Sequence, residues 1–166
     1  MPGDDHTANA LQVDPDDGSW RLPNRGVVIH EGMSQSIADQ TLREFYRDRI
    51  DHHNGYTWSY FHRLHFGGLP CALSLGFHHA VLTEVHLSVS LPDAPLESGW
   101  PTRAAIDAEI AYVRGVFTQQ LGRVFGEHSE CFDWGIAWSG FDPKAYLASA
   151  GIRYEAGPST QPPAGS

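Results

Sequence analysis

Apolar and polar positions alternate with period two through the middle of the chain, where YTWSYFHRLHF, LPCALSLGFHH and VLTEVHLSVSL follow one another with short breaks. That period belongs to half-buried strands, so residues 56–91 are predicted to form a three-stranded antiparallel meander. Gly67-Gly68 is a two-residue hairpin signal, because primed turns require φ > 0. With that loop Phe66 faces Leu69, and the register runs back through Leu64–Cys71, His62–Leu73, Tyr60–Leu75 and Trp58–Phe77. In the third strand Val81, Thr83, Val85, Leu87, Val89 and Leu91 form the apolar set. Matching that set to Leu73, Leu75 and Phe77 requires an odd-length connection, His78-His79-Ala80, since a slip of one residue would bury Glu84 and His86. The opposite face then carries Thr57, Ser59, Phe61, Arg63 and His65, with Ser74, Gly76, Leu82, Glu84, His86 and Ser88. This mixture resembles an interface more than plain solvent surface, unless a helix covers it.

The period changes on either side. GVVIH reads as a short strand, and Ser34 or Ser36 can cap a helix in which Ile37, Leu42, Phe45, Tyr46 and Ile50 form one stripe, ending near residues 51–55. LPDAPLESGWP is a Pro-rich connector. Thr102 then caps a long helix from Arg103 to Phe125, closed by Gly126, with Ile106, Ile110, Val113, Phe117, Leu121 and Val124 at spacings of four and three. The last segment, CFDWGIAWSGFDPKAYLASAGIRYE, is a hairpin turning at Asp142-Pro143, and Trp134, Ile136 and Trp138 are assigned to the face under the long helix. The expected fold class is α+β: an antiparallel β-sheet (meander plus C-terminal hairpin) packed against a long amphipathic helix and a second, N-terminal helix.

Composition adds the boundaries. Residues 1–20 are acidic and polar and are expected to form a disordered arm. Residues 156–166, low in complexity, are expected to be a disordered Pro/Gly/Ser tail, leaving residues 21–155 as one α+β domain. The net charge of −9 disfavours nucleic acid and anionic membrane surfaces as partners and suits a basic protein. No long apolar run indicates a membrane span, and nothing at the N-terminus reads as an export signal, so a cytoplasmic location is expected. Cys71 and Cys131 sit far apart in apolar strands and read as buried free thiols.

Chemistry is harder to find. Ten histidines tempt a metal reading. In a strand, however, adjacent and i,i+3 side chains point to opposite faces, so HH and HxxH do not converge. His62 reads as a core histidine. No nucleophile elbow or phosphate-cradling glycine loop is present. Glu127, Glu130 and Asp133 crowd the connector before the last hairpin and read as a solvated acidic loop. No catalytic residue, metal site or cofactor is therefore expected. The candidate partner-binding residues are Phe61, Arg63, Glu84 and His86 on the open face, the aromatic Trp100, and the acidic Glu127, Glu130 and Asp133.

One larger pattern stands out. Phe77, Leu82, Val85 and Leu87, then a helix, then Trp134, Gly135, Ile136, Asp142, Lys144, Ile152 and Tyr154 form a layout from residue 25 to 154 that resembles bacterial immunity proteins, the partners of antibacterial toxins. The resemblance implies a protein without catalysis of its own, which binds a cognate, basic toxin of a secretion-system effector pair and occludes its active site. A homodimer is compatible with the sequence. The alternatives are an adaptor or chaperone for a secreted effector, and a His-dependent metalloenzyme.

Overall fold

A computed structural model describes residues 9–125 and 128–155. In chain order the elements are β1 (Ala10–Val13), β2 (Trp20–Leu22), β3 (Val27–Ile29), α1 (Gln35–Thr41), β4 (Tyr46–Asp51), β5 (Tyr56–Phe66), β6 (Leu69–His78) and β7 (Val81–Val89). There follow β8 (Leu96–Glu97), β9 (Trp100–Pro101), α2 (Arg103–Leu121), β10 (Ser129–Phe132), β11 (Gly135–Asp142) and β12 (Leu147–Tyr154). The class is α+β, built on a ten-stranded sheet in the order β10-β11-β12-β7-β6-β5-β1-β2-β3, with β4 also paired to β5. Pairing is antiparallel except between β1 and β5. β8 and β9 form a separate two-stranded ribbon.

The meander forms as expected, but two bulges reset its faces. In β5 the register passes from Leu64↔Cys71 to Phe61↔Leu73, so that His62 and Arg63 together oppose Ala72. Arg63 sits at φ 62°, in the left-handed region that one class of bulge uses. The consequence corrects the sequence reading. His62 leaves the core, Phe61 enters it at 1% exposure, and Ser59 follows onto the buried side. In β7 the register passes from Gly76↔Glu84 to Phe77↔Leu82, making Thr83 the extra residue. Leu82 is therefore buried and Val81 exposed, the reverse of the expectation. The odd connection is not His78-His79-Ala80. The turn has two residues, His79 and Ala80, both at positive φ, and Thr83 supplies the odd residue.

Both helices serve the buried face. α2 is capped by Thr102, whose Oγ accepts from the Ala105 N–H, and ends at Gly122 in the left-handed region, earlier than the expected Phe125 and Gly126. Its Val113, Phe117 and Leu121 enter the core, where Phe117 lies 5.5 Å from Phe66 and 6.3 Å from Trp20 between ring centroids. The Ser139 hydroxyl donates to the Ile110 carbonyl and the Arg114 guanidinium to the Ser139 carbonyl, fixing α2 across β11. α1 is much shorter than the helix expected over 37–50. After a turn of 3-10 helix at Arg43–Phe45 the chain runs on as edge strand β4. Leu42 and Phe45 are buried, whereas Ile37 and Ile50 of the supposed stripe are exposed. In YRDRID the apolar Tyr46 and Ile50 are four apart, a spacing that suits a helix and a strand equally, and pairing to β5 decides for the strand. The Gln35 amide donates to the Ser59 hydroxyl, which places α1 on the same side of the sheet as the core.

The acidic stretch before Trp20 is not a solvated arm over residues 10–20. Leu11 and Val13 bury themselves beside β5, and the turn that follows is fastened to the far end of the chain. Trp134 Nε1 donates to the Pro15 carbonyl at 2.9 Å, and the Tyr154 hydroxyl donates to the Gly18 carbonyl at 2.6 Å. Gly18 has φ +70°, and a Cβ there would fall 2.6 Å from the Trp134 ring. The expected tail, residues 156–166, lies outside the described residues. Among the described residues no helix is long and apolar enough to cross a membrane.

The Arg63 bulge generates a test. Arg63→Gly is expected to stay within about 1 kcal/mol of wild type in urea unfolding, and Arg63→Val to lose about 2 kcal/mol, because a β-branched residue resists positive φ. Equal effects would mean that the left-handed conformation is not the constraint.

Candidate functional site

The sheet face turned away from α1 and α2 gathers side chains from five strands. In this register Trp58, Tyr60 and His62 of β5 share it with Ser74 and Gly76 of β6, Glu84 and His86 of β7, and Arg153 of β12. Pairing of Trp138 with Gly151, and of Ile136 with Arg153, puts both β11 side chains here as well. This corrects the expectation that Trp138 and Ile136 lie under the long helix. Ala137, Ser139 and Ile152 hold that buried position instead.

Two glycines make the face. At Gly76 a Cβ would lie 2.8 Å from the Trp58 ring and 2.9 Å from the Glu84 side chain. At Gly151 it would lie 2.1 Å from the Val85 carbonyl and 2.9 Å from the Trp138 ring. Each glycine lets an indole from the neighbouring strand lie across its own strand, a close approach that only a missing side chain allows. Both indoles thus reach His86, whose ring is 4.7 Å from Trp58 and 5.0 Å from Trp138, edge to face in each case. Trp138 is only 8% exposed, and its Nε1 donates to the Ser149 hydroxyl.

Charge is organised around the same row. Glu84 stands 3.6 Å from His86 Nε2 and 3.7 Å from Arg153 Nε. The adjacent His86 ring, against a desolvation that works the other way, and the nearby Arg153 charge hold the Glu84 carboxyl below the ordinary glutamate range. The Arg153 guanidinium also lies 6.0 Å from the Trp138 ring. The result is a rigid strip of two indoles, an imidazole, a carboxylate and a guanidinium. Aromatic and Arg side chains on rigid elements characterise the energetically dominant parts of protein interfaces.

The sequence candidates scatter. Glu84 and His86 are brought together as expected. Phe61 is buried on the other face. Arg63 points away from the strip, into a cleft where its guanidinium donates to the Glu44 carbonyl and the Asn9 amide donates to the Arg63 carbonyl. Trp100 is 68% exposed on the β8–β9 ribbon. Glu130 pairs with Ala137 on the edge strand β10, and Asp133 lies exposed in the turn after it. Glu127 lies outside the described residues. Sequence reasoning missed Trp58, Trp138 and Arg153. The available signal was the pair of mid-strand glycines, Gly76 and Gly151.

Elsewhere the chemistry is sparse. Burial pushes the Cys71 thiol up to about 12, which leaves it protonated and inert. Cys131 is exposed, contrary to expectation. Among the described residues no group of three or more His, Cys, Asp or Glu side chains is arranged to hold a metal ion.

Two outcomes follow from this geometry. Gly151→Ala is expected to displace Trp138 and loosen β12 from β7, lowering stability by about 1–3 kcal/mol, with a matching change in tryptophan fluorescence. Because the folded-state value of Glu84 is depressed, its contribution is present above the ordinary value of 4.5 and is lost as pH falls through the lower folded value. Urea unfolding should therefore show Glu84→Gln less stable than wild type at pH 7, with the gap closing below pH 4.5.

No protein-family model matches the chain, and no curated protein matches it in sequence. Among solved structures, a chain in the structure of "Rhs1-CT in complex with cognate immunity protein RhsI1" has a similar fold, with a TM-score of 0.50 at 12% identity over 87% of each chain. At that identity the likeness is one of fold.

Proposed function

We propose that this protein is an immunity protein that binds a cognate antibacterial toxin through the open face of its sheet and neutralises it by occlusion, without catalysis of its own. The observation that carries the reading is the strip of Trp58, His86, Trp138, Glu84 and Arg153 on a sheet face that neither described helix covers. Trp58 and His86, held in place by this packing, lose little further freedom on binding, so burial of the surface they still expose goes largely into affinity. Charge adds to this. A protein with a net charge of −9 attracts a basic toxin over distance and accelerates encounter, which suits an inhibitor that must act before damage is done. The fold it shares with a chain from a toxin–immunity complex supports the same reading.

The test is to mix the purified protein with the toxin domain encoded by the neighbouring gene. A one-to-one complex, loss of toxicity on co-expression and salt-sensitive association are expected. His86→Ala and Arg153→Glu should each weaken the complex by about tenfold or more, with unchanged circular dichroism. Full toxin activity in the presence of excess immunity protein would sink the proposal, and binding that leaves activity intact would point instead to an adaptor.

A further inference from the structure

A second surface stands apart from the open face, at the end of β7. The chain leaves Val89, runs through Asp93, and forms the β8–β9 ribbon before entering α2. The ribbon turn is tight, with Ser98 and Gly99 both at positive φ, and it pairs Leu96 with Pro101 and Glu97 with Trp100. Between the ribbon and α2 lies a cleft of about 390 Å³, walled by Leu91, Leu96, Pro101 and Ala105. Two carboxylates, Asp93 and Glu109, line the same cleft. Glu109 is half-buried, and one of its oxygens accepts the Val89 N–H at 3.2 Å. Desolvation raises its carboxyl above the ordinary range. Among the described residues neither Asp93 nor Glu109 makes an ion pair, although the Arg–carboxylate pair Arg103–Asp107 forms nearby on the same helix. Beside the cleft Leu96 and Trp100 stand 62% and 68% exposed.

The geometry points to a socket for a single basic side chain of the partner, with the apolar walls taking the methylene stem of a lysine or arginine and Glu109 and Asp93 taking its cationic head. Long cationic side chains bury their stems against apolar surface while keeping the charged end on polar groups, and this cleft offers both in that order. A cation seated there would supply the counter-charge that the half-buried Glu109 lacks. Trp100, on the ribbon that forms one wall, adds an exposed indole of the kind that dominates binding energy and packs well on guanidinium groups. The occupant belongs to the basic partner that a chain of net charge −9 attracts, so the assignment rests on the neutralisation reading for its source but not for its chemistry.

The experiment uses the free protein and n-butylguanidinium as probe, followed by amide and indole NMR. Saturable shifts centred on the Val89 amide are expected at millimolar concentration. Glu109→Gln, which keeps an acceptor for the Val89 N–H, should weaken binding about tenfold or more, as loss of a charge-assisted hydrogen bond does. Asp93→Asn should weaken it as well, and asparagine tolerates the left-handed backbone that Asp93 adopts at φ 57°. The neutral alcohol n-pentanol should not produce the Val89 shift. An unmoved Val89 amide, an equal response to n-pentanol, or wild-type affinity in Glu109→Gln would overturn the socket. Because the probe is read without a toxin, its failure leaves the neutralisation reading standing, and a failure to neutralise leaves the socket standing.

Discussion

The side-chain alternation of a strand is strict, and a single extra residue exchanges its faces from that point onward. Two such residues, Arg63 in β5 and Thr83 in β7, determine what this sheet shows to solvent. Without them His62 would sit opposite Leu73 in the core, and Trp58 would be buried opposite Phe77. With them Phe61 and Leu82 fill the core, and Trp58, Glu84 and His86 share the open side. Each bulge acts in its own pairing with β6, Arg63 letting Phe61 and Leu64 both face the core and Thr83 doing the same for Leu82 and Val85. The pair keeps apolar matched to apolar at both ends of the meander.

The glycines complete what the bulges begin. Side chains on a sheet ordinarily stand away from it, and large ones leave gaps. Gly76 and Gly151 remove the obstacle under each indole, so Trp58 and Trp138 lie across their neighbouring strands and converge on His86. Shape and charge are thereby fixed together, since the same convergence brings Glu84 within reach of both His86 and Arg153. A surface so constrained is suited to recognising one partner closely.

Much of the fold was legible in the sequence. The meander, the Gly67-Gly68 hairpin, the Thr102-capped helix and the final hairpin all follow from periodicity and turn chemistry. The failures have a common physical source. Period two locates a strand but cannot register a bulge at Arg63, whose residue type gives no warning of positive φ. The stripe from Ile37 to Ile50 satisfied a helical template, yet pairing with β5 claimed its second half. Leu11 and Val13 lay among aspartates, and only distant partners could reveal them as core. The site was legible in part. Glu84 and His86 could be placed on one face, but Trp138 and Arg153 reach them through a strand order, β11-β12-β7, that no local pattern encodes.

That strand order has a bearing on how the molecule assembles. The Tyr154 hydroxyl reaches Gly18 across 136 positions of chain, and Trp134 reaches Pro15 across 119. Such distant closures form only after much loop entropy has been surrendered, so folding is slow compared with a helical protein of this length. On the ribosome, the turn around Gly18 must wait until β12 has emerged, although β1 before it can already pair with β5. Cotranslational maturation therefore finishes late, and a chaperone that shields the early strands would raise the yield of native molecules.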